Sequence, residues 1–187
     1  MQLVYWLRRD KSLAAHALHS HHDAFDTIDL MTTAPPAAVT KPFKIPRSTM
    51  IVIYNHQLEV LLIERADHPG FWQSVTGSQD EGEALIETAR REVMEETGID
   101  VAAHLLTDWQ QQNVYEIFPI WRHRYAPGVT HNTEHVFGLR VSARVPVQLS
   151  PREHLQHVWL PVDKAAPLCF SGSNREAILS LPARLTE

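Results

Sequence analysis

Three glutamates, Glu92, Glu95 and Glu96, stand close together in the string RREVMEETGI. In a helix, which turns by about 100° per residue, they fall within an arc of roughly 100° beside the apolar face. Carboxylates at this spacing repel one another and weaken a helix by about 0.2–0.5 kcal/mol per pair. A hard divalent cation prefers carboxylate oxygens and removes this repulsion. The spacing therefore predicts a cation site, with an ordinary solvated acidic face as the alternative.

The segment from Gly77 to Ile99 positions these carboxylates, and it predicts a tight loop followed by one helix. Gly77 would let the backbone pass close to the acidic site, where a side chain would obstruct it. Gly98 would end the helix, because glycine readily takes the left-handed conformation that follows many helices. Apolar residues recur at helical spacing, at Leu85, Ile86, Ala89 and Val93.

The same segment satisfies the pattern G-x5-E-x7-R-E-U-x-E-E-x-G-U, in which U is a bulky aliphatic residue. The matching positions are Gly77, Glu83, Arg91, Glu92, Val93, Glu95, Glu96, Gly98 and Ile99. This string resembles the signature of the Nudix hydrolases. The resemblance implies a Mg²⁺-dependent enzyme, with Mn²⁺ as an alternative cation, that cleaves a diphosphate linked to another moiety. It also implies an α/β fold, namely an α/β/α sandwich with a central mixed β-sheet.

The resemblance also assigns roles within the signature. Glu92 and Glu96 are expected to hold the metal, and Glu95 contributes directly or through a water molecule. Arg91 completes the expected catalytic set as an orienting residue, tying the helix to the loop before it. Glu83 is expected to reach back to Arg91.

A further carboxylate from outside the helix is expected at the metal. Glu153, in the string SPREHLQHVWL, is the preferred metal ligand, and Glu116 and Glu134 are the other candidates. A surface glutamate in a charged loop is the competing interpretation of Glu153. The general base stays open among Glu95, Glu96 and Glu153.

Composition limits the classes of protein to consider. The chain has 187 residues, of which 44% are hydrophobic, enough for one domain with a sizeable core. The formal net charge of −5 argues against binding of a nucleic-acid polymer. No apolar run is long enough for a transmembrane helix. The single cysteine, Cys169, fits a reducing cytoplasm and is expected to be a core residue rather than a nucleophile.

Residues 1–41 differ from the rest of the chain and are predicted to be a disordered N-terminal extension, followed by a Nudix domain over residues 42–187. A histidine-rich patch and the string TTAPPAAVTKP lie in this first part. The histidines lack cysteine or carboxylate partners at ligand spacing, which favours a solvated tail over a metal site. Met31 is a candidate natural start, with residues 1–30 as an upstream extension.

Hydrophobic patterning predicts the remaining elements. The strings STMIVIYN and EVLLIER predict two strands joined by a hairpin turn at residues 55–57. The first is almost continuously apolar, as expected for a strand covered on both faces. A final helix is predicted from Asn174 to about Leu185, with Ser173 as its N-cap. Further strands are predicted near Val101–Leu106, Val114–Tyr125, Thr133–Val141 and His157–Leu160.

Three flanking segments indicate the substrate. Residues 71–78, 122–134 and 171–175 resemble a branch of the family that hydrolyses dihydroneopterin triphosphate, a folate precursor, and also dATP. That resemblance covers roughly residue 42 to the end and implies release of pyrophosphate from this small-molecule triphosphate. The substrate contacts that it implies are Lys44, Arg65, Thr76 and Ser171.

Two other functions stay open at this point. One is a housecleaning pyrophosphohydrolase of dATP and other dNTPs, which uses the same chemistry. The other is a nucleotide-sensing module without turnover, which the retained glutamates disfavour. A second cationic cluster, Arg122, His123 and Arg124, either holds phosphate or covers the sheet edge, with Arg122 and Arg124 sharing one face of a strand. The aromatics that could stack on the base are Trp72, Tyr125 and Phe170, and each is equally compatible with a place in the core. No sequence feature specifies the oligomeric state.

Overall fold

A computed structural model of the chain describes residues 42–185. The predicted extension over residues 1–41 lies outside the described residues. A seven-stranded sheet has the order β3-β2-β1-β6-β5, with β4 against β1 and β7 against β2. The strands are β1 (Arg47–Tyr54), β2 (Glu59–Arg65), β3 (Trp72–Gln73), β4 (Val75–Ser78), β5 (Leu105–Glu116), β6 (His131–Arg140) and β7 (His154–Pro161). The helices are α1 (Leu85–Thr97), α2 (Val162–Leu168) and α3 (Gly172–Arg184).

Strand β1 is the centre of the sheet. It runs parallel to β6 and antiparallel to β2 and β4, so the sheet is mixed as predicted. Its residues from Thr49 to Tyr54 are all buried, which explains the nearly continuous apolar run in the sequence. A turn at residues 55–58 joins β1 to β2, with the backbone N–H of Leu58 donating to the carbonyl of Asn55 at 3.1 Å.

Helices cover both faces of this sheet. On one face, Ile51 and Phe137 pack with Ala89 and Val93 of α1. On the other face, the alternate residues of the same strands pack against α2 and α3 in a second cluster that includes Met50, Val136, Ala165 and Ile178. Two helical layers around a mixed sheet confirm the predicted α/β/α sandwich. Within residues 42–185, no helix is both long and apolar enough to cross a membrane.

Helix α1 begins and ends close to the predicted places. Gly98 follows its last residue with φ of 68°, and the Gly98 N–H donates to the carbonyl of Met94 at 2.9 Å. This left-handed residue stops the helix immediately after Glu96 and Thr97. The acidic turn is therefore held at the end of a helix whose apolar face is fixed against the sheet.

Two of the predicted strand boundaries were wrong. Residues 101–103 form a 3₁₀ turn, which Asp100 caps by accepting from the N–H of Ala102 at 2.9 Å. The strand predicted over Val114–Tyr125 ends at Glu116, and a 3₁₀ turn covers Pro119–Arg124. Proline lacks the N–H that a ladder needs, so it favours the turn. The argument that Arg122 and Arg124 share one strand face therefore fails.

The last helix has a different cap from the predicted one. Ser171, not Ser173, is the N-cap: its Oγ accepts a hydrogen bond from the N–H of Asn174 at 3.2 Å. Ser173 lies inside the first turn. Both serines fit a cap by residue type. Asn174, which donates its N–H to Ser171, also accepts from the backbone N–H of Ser74 through Oδ1 at 2.7 Å. Cys169 is buried, as predicted.

Substitution of Gly138 by alanine is expected to destabilise the fold. Gly138 lies in β6, and a Cβ there would come within 2.4 Å of the Trp109 ring. That ring is held in place, because the Arg184 guanidinium stacks on it at 4.4 Å from the ring centroid. Overpacking of this kind costs about 1–3 kcal/mol. Urea unfolding of Gly138→Ala should show this loss, measured as the free energy of unfolding.

Gly172→Ala is the matched control, because a Cβ at Gly172 would meet no atom within 4 Å. Its free energy of unfolding should stay within about 0.5 kcal/mol of the wild-type value. Equal stability of the two alanine variants would contradict the packing argument.

Candidate active site

Helix α1 presses its acidic turn directly against strand β4. A Cβ on Gly77 would lie 1.8 Å from the Cδ of Glu92, so no larger residue fits without moving this carboxylate. Gly77 is itself fixed in the sheet, opposite Thr49 of β1. The expected close approach of backbone and carboxylate is therefore present. It sets the position of Glu92 relative to the sheet.

Arg91 joins the helix to the loop before it. Its Nε and Nη2 donate to the two oxygens of Glu83, each at 2.9 Å, and Nη2 also donates to the carbonyl of Ser78 at 3.0 Å. Nη1 donates to Glu92 Oε1 at 2.7 Å and to Glu95 Oε2 at 3.3 Å. These contacts match the orienting role expected for Arg91 and for Glu83. The guanidinium thus fixes the loop and two carboxylates at once.

The three signature glutamates have different environments. The side chain of Glu95 is 55% exposed, whereas Glu96 as a residue is only 7% exposed. Burial raises the pKa of Glu92 to about 7, although the hydrogen bond and charge of Arg91 act in the opposite direction. Burial also raises the pKa of Glu96, with His154 and the backbone N–H of Thr76 opposing it. A nearby positive charge would therefore favour the ionised form of both buried groups.

A cluster of possible cation ligands forms around Glu96. Ligand atoms of Glu96, Glu153 and His154 lie within 4.8 Å of one another. The loop that carries Glu153 is tied to the end of β2, because the backbone N–H of Ala66 donates to the Glu153 carbonyl at 2.9 Å. Glu96 and Glu153 are far apart in the sequence, and the fold brings them together. Glu92 lies outside this cluster, with its carboxylate engaged by Arg91.

His154 is a member of the cluster that the sequence did not reveal. It is 5% exposed, and neither ring nitrogen has a hydrogen-bond partner among the described residues. Its Nε2 lies 3.4 Å from Glu96 Oε1. A buried imidazole whose Nδ1 has no partner among the described residues is costly, and imidazole is a good ligand for divalent metals. Two carboxylates and this ring therefore fit a bound divalent cation.

Lys44, one of the expected substrate residues, lines a cleft beside the signature carboxylates. Lys44 Nζ donates to Ser78 Oγ at 3.1 Å, and burial together with Arg124 lowers the Lys44 pKa. Lys44 and Glu92 line the same cleft, which has a volume of about 460 Å³. The Lys44 amino group and the carboxylate of Glu92, an expected metal ligand, thus face one space.

A second chain of contacts leads from Arg65 to the cluster. Arg65 Nη1 donates to Gln73 Oε1 at 3.0 Å, and Gln73 Nε2 donates to Thr76 Oγ1 at 3.2 Å. The backbone N–H of Thr76 in turn donates to Glu96 Oε2 at 3.4 Å. Arg65 also pairs with Asp67 at 2.6 Å. Arg65 and Thr76 are therefore placed together, whereas Ser171 lies at the start of α3 as its N-cap.

The two other candidate ligands do not join the cluster. Glu116 forms an ion pair with Arg122. Glu134 is buried and accepts a hydrogen bond from Asn113 Nδ2 at 3.2 Å. Neither belongs to the cation-ligand cluster found among residues 42–185.

The model of the NUDIX domain matches residues 44–181 of the chain. The chain belongs to the NUDIX family. It is 48% identical over 141 residues to the dihydroneopterin triphosphate diphosphatase of Escherichia coli K12, covering 74% of this chain and 93% of that protein. It is 39% identical over 139 residues to the enzyme of that name from Haemophilus influenzae, covering 73% of this chain and 87% of that protein.

The solved structure of the E. coli dihydroneopterin triphosphate pyrophosphohydrolase is also similar. It aligns with a TM-score of 0.67 and 48% identity, covering 74% of this chain and 95% of that chain. A lower-identity neighbour is the NUDIX domain of Shewanella oneidensis NrtR, at 18% identity and a TM-score of 0.59. At that identity, the likeness to NrtR concerns the fold alone.

The ion pair of Glu83 and Arg91 predicts a specific pH dependence of stability. Hydrogen bonds from Arg91 are the main cause that lowers the Glu83 pKa from 4.5 to about 2. Because the folded-state pKa lies below the unfolded value, the contribution is complete above about pH 4.5 and is lost as pH falls towards 2. Glu83→Gln should lower the free energy of unfolding at pH 7, and its difference from wild type should shrink below pH 4.

Glu87→Gln is the control for this measurement, since Glu87 is an exposed residue of the same helix that pairs with Arg90. Its difference from wild type should be small at neutral pH, because exposed ion pairs contribute little. A Glu83→Gln difference that stays constant from pH 7 to pH 2.5 would refute the assigned pairing.

Proposed function

We propose that this chain is a divalent-cation-dependent dihydroneopterin triphosphate diphosphatase. The reaction joins water to dihydroneopterin triphosphate and gives dihydroneopterin monophosphate and pyrophosphate. The observation that carries the proposal is the 48% identity to the E. coli enzyme over 141 residues. A complete set of signature glutamates and the Glu96 cluster support turnover rather than binding alone.

The two products require cleavage of the anhydride bond between the first and second phosphates, and we place the attack of water on the first phosphorus. The water oxygen forms a bond to the phosphorus nearest the pterin chain, and the anhydride bond to the next phosphate breaks. The electron pair of that bond leaves with pyrophosphate, and a proton from the water passes to a base. Catalysis of such a step is mostly positioning and charge stabilisation.

Glu96, Glu153 and His154 would hold the principal cation, and Glu92 would hold a cation on the side facing the cleft. When bound, Mg²⁺ or Mn²⁺ would neutralise phosphate charge and lower the pKa of a coordinated water. Glu95 is the exposed member of the acidic turn and is not part of the Glu96 cluster. We assign Glu95 as the base that accepts the proton, with its Oε2 also accepting from Arg91 Nη1 at 3.3 Å.

The chain's cations would bind and orient the triphosphate. Lys44 lies in the cleft beside Glu92, and Arg65 reaches Thr76 through Gln73. The ammonium group of Lys44 and the guanidinium group of Arg65 lie at the two ends of this set of residues, which suits an extended polyphosphate. Arg91 would act through the carboxylates that it positions. Ser171 would offer its hydroxyl at the start of α3.

A dATP or dNTP pyrophosphohydrolase is the second candidate, because the same carboxylates would serve it. A nucleotide-sensing module is less well supported, since Glu92, Glu95 and Glu96 are all retained. A place in folate biosynthesis and a cytoplasmic location are parts of the main proposal.

The test is pyrophosphate release by the purified full chain with Mg²⁺, measured as kcat/KM on dihydroneopterin triphosphate and on dATP. We expect the pterin substrate to be preferred. Glu96→Gln should lower kcat/KM by at least about 100-fold, because loss of a cation ligand removes several kcal/mol of charge stabilisation. Glu87→Gln, on the exposed side of the same helix, should leave kcat/KM unchanged.

Equal or faster turnover of dATP would replace the proposed substrate by the dNTP alternative. Tight binding of either triphosphate without release of pyrophosphate would favour the sensing module instead. Full activity of Glu96→Gln would contradict the assigned cation site.

A further inference from the structure

A second buried carboxylate, Glu134 on strand β6, takes no part in the chemistry above. It is 7% exposed, and its Oε2 accepts a hydrogen bond from Asn113 Nδ2 at 3.2 Å. Burial raises the Glu134 pKa, while hydrogen bonds from Asn113 and Ser173 act against this rise. A buried carboxylate with no part in the reaction is a candidate for binding another group.

The neighbours of Glu134 are polar and neutral. Asn132, two residues earlier on the strand, donates to Ser48 Oγ at 2.7 Å and to Tyr115 Oη at 3.0 Å. Among residues 42–185, the ion pairs within 4.0 Å include none with Glu134. Buried carboxylates are usually paired with a cation when their role is structural. This one instead accepts hydrogen bonds from the neutral side chains of Asn113 and Ser173.

The sheet register places Glu134 at a useful distance from the phosphate end of the site. Glu134 lies opposite Ser48 of β1, and Ser48 lies opposite Ser78 of β4. Two strand spacings separate Glu134 from Ser78 by about 10 Å. Ser78 in turn contacts Lys44 at 3.1 Å. This span suits a substrate whose heterocycle lies at one end and whose triphosphate lies at the other.

Glu134 also faces the layer that contains α3. Side chains alternate along a strand, so Glu134 points to the same side as Val136, which packs in the core with α3. Ser173, in the first turn of α3, is one of its hydrogen-bond donors. The expected substrate residue Ser171 lies in that same turn region, as the N-cap. Glu134 therefore lies close to the start of α3, where Ser171 is the N-cap.

We propose that Glu134 recognises the base of the substrate through two adjacent N–H donors, the ring N–H and the amino group that pterin and guanine share. This inference rests on the proposed function and names the group that selects the substrate. An ionised carboxylate accepts only, and it can take both hydrogens side by side. Adenine offers its amino group next to a ring nitrogen that is an acceptor. The lone pair of this ring nitrogen would face a lone pair of the Glu134 carboxylate, and the two would repel each other.

The discriminating experiment compares kcat/KM of the full chain on dihydroneopterin triphosphate, dGTP and dATP for the wild type and Glu134→Gln. The glutamine amide replaces one acceptor by a donor, which no longer matches two N–H groups but does match adenine. We expect turnover of the pterin substrate and of dGTP to fall by about 10- to 100-fold, as loss of a charged hydrogen bond predicts. Turnover of dATP should stay the same or rise.

Glu116→Gln is the matched control, because Glu116 is an exposed glutamate of the adjacent strand β5. It should leave the ratios among the three substrates unchanged. An equal fall on all three substrates in Glu134→Gln would assign Glu134 a structural role and overturn the proposal. Unchanged rates on all three would overturn it as well.

A second variant covers the case in which Glu134→Gln does not fold. Glu134→Asp keeps the charge but withdraws the carboxylate by one methylene, so it should lower the pterin and dGTP rates selectively. A uniform loss would count against base recognition. Wild-type preference for dATP over the pterin substrate would refute the proposed function alone. The change in the dGTP-to-dATP ratio caused by Glu134→Gln would still decide the role of Glu134.

Discussion

The contact network of the Arg91 guanidinium is the interaction on which the rest of the site depends. It holds Glu83, the Ser78 carbonyl and Glu92 together, and thereby fixes helix α1 against the loop and strand before it. Helix and strand lie so close together that a side chain at position 77 would displace the Glu92 carboxylate. A planar donor with several N–H groups is needed for this, and lysine could not replace it. This contact network sets the positions of the carboxylates.

The burial of charge explains why the site would take a cation. Glu92 and Glu96 are removed from water, and both have raised pKa values for that reason. His154 is buried beside Glu96, and its Nδ1 has no hydrogen-bond partner among the described residues. Arrangements of this kind lower the stability of the fold, and proteins retain them where binding of a ligand compensates for that loss. The cluster is therefore better explained by binding than by folding.

Sequence patterns predicted the local part of the structure well. Helix α1, its end at Gly98 and the buried strand β1 follow from apolar spacing and from glycine, which act within a few residues. Long-range pairing was harder to predict. His154 reaches the site because β7 pairs with β2, which places His154 opposite Arg65. Its position next to Glu153 in the sequence was the only hint of this. Residue type likewise did not decide between Ser171 and Ser173 as the cap of the last helix.

The central claim is that Glu96 and its neighbours bind a divalent cation, and direct cation binding tests it without any assumption about substrate. Titration of the full chain with Mn²⁺, followed by electron paramagnetic resonance, would give the affinity for wild type, Glu96→Gln and Glu87→Gln. The account predicts that Glu96→Gln weakens Mn²⁺ binding by at least about tenfold, while Glu87→Gln does not change it. Equal affinity of Glu96→Gln and wild type would contradict the account.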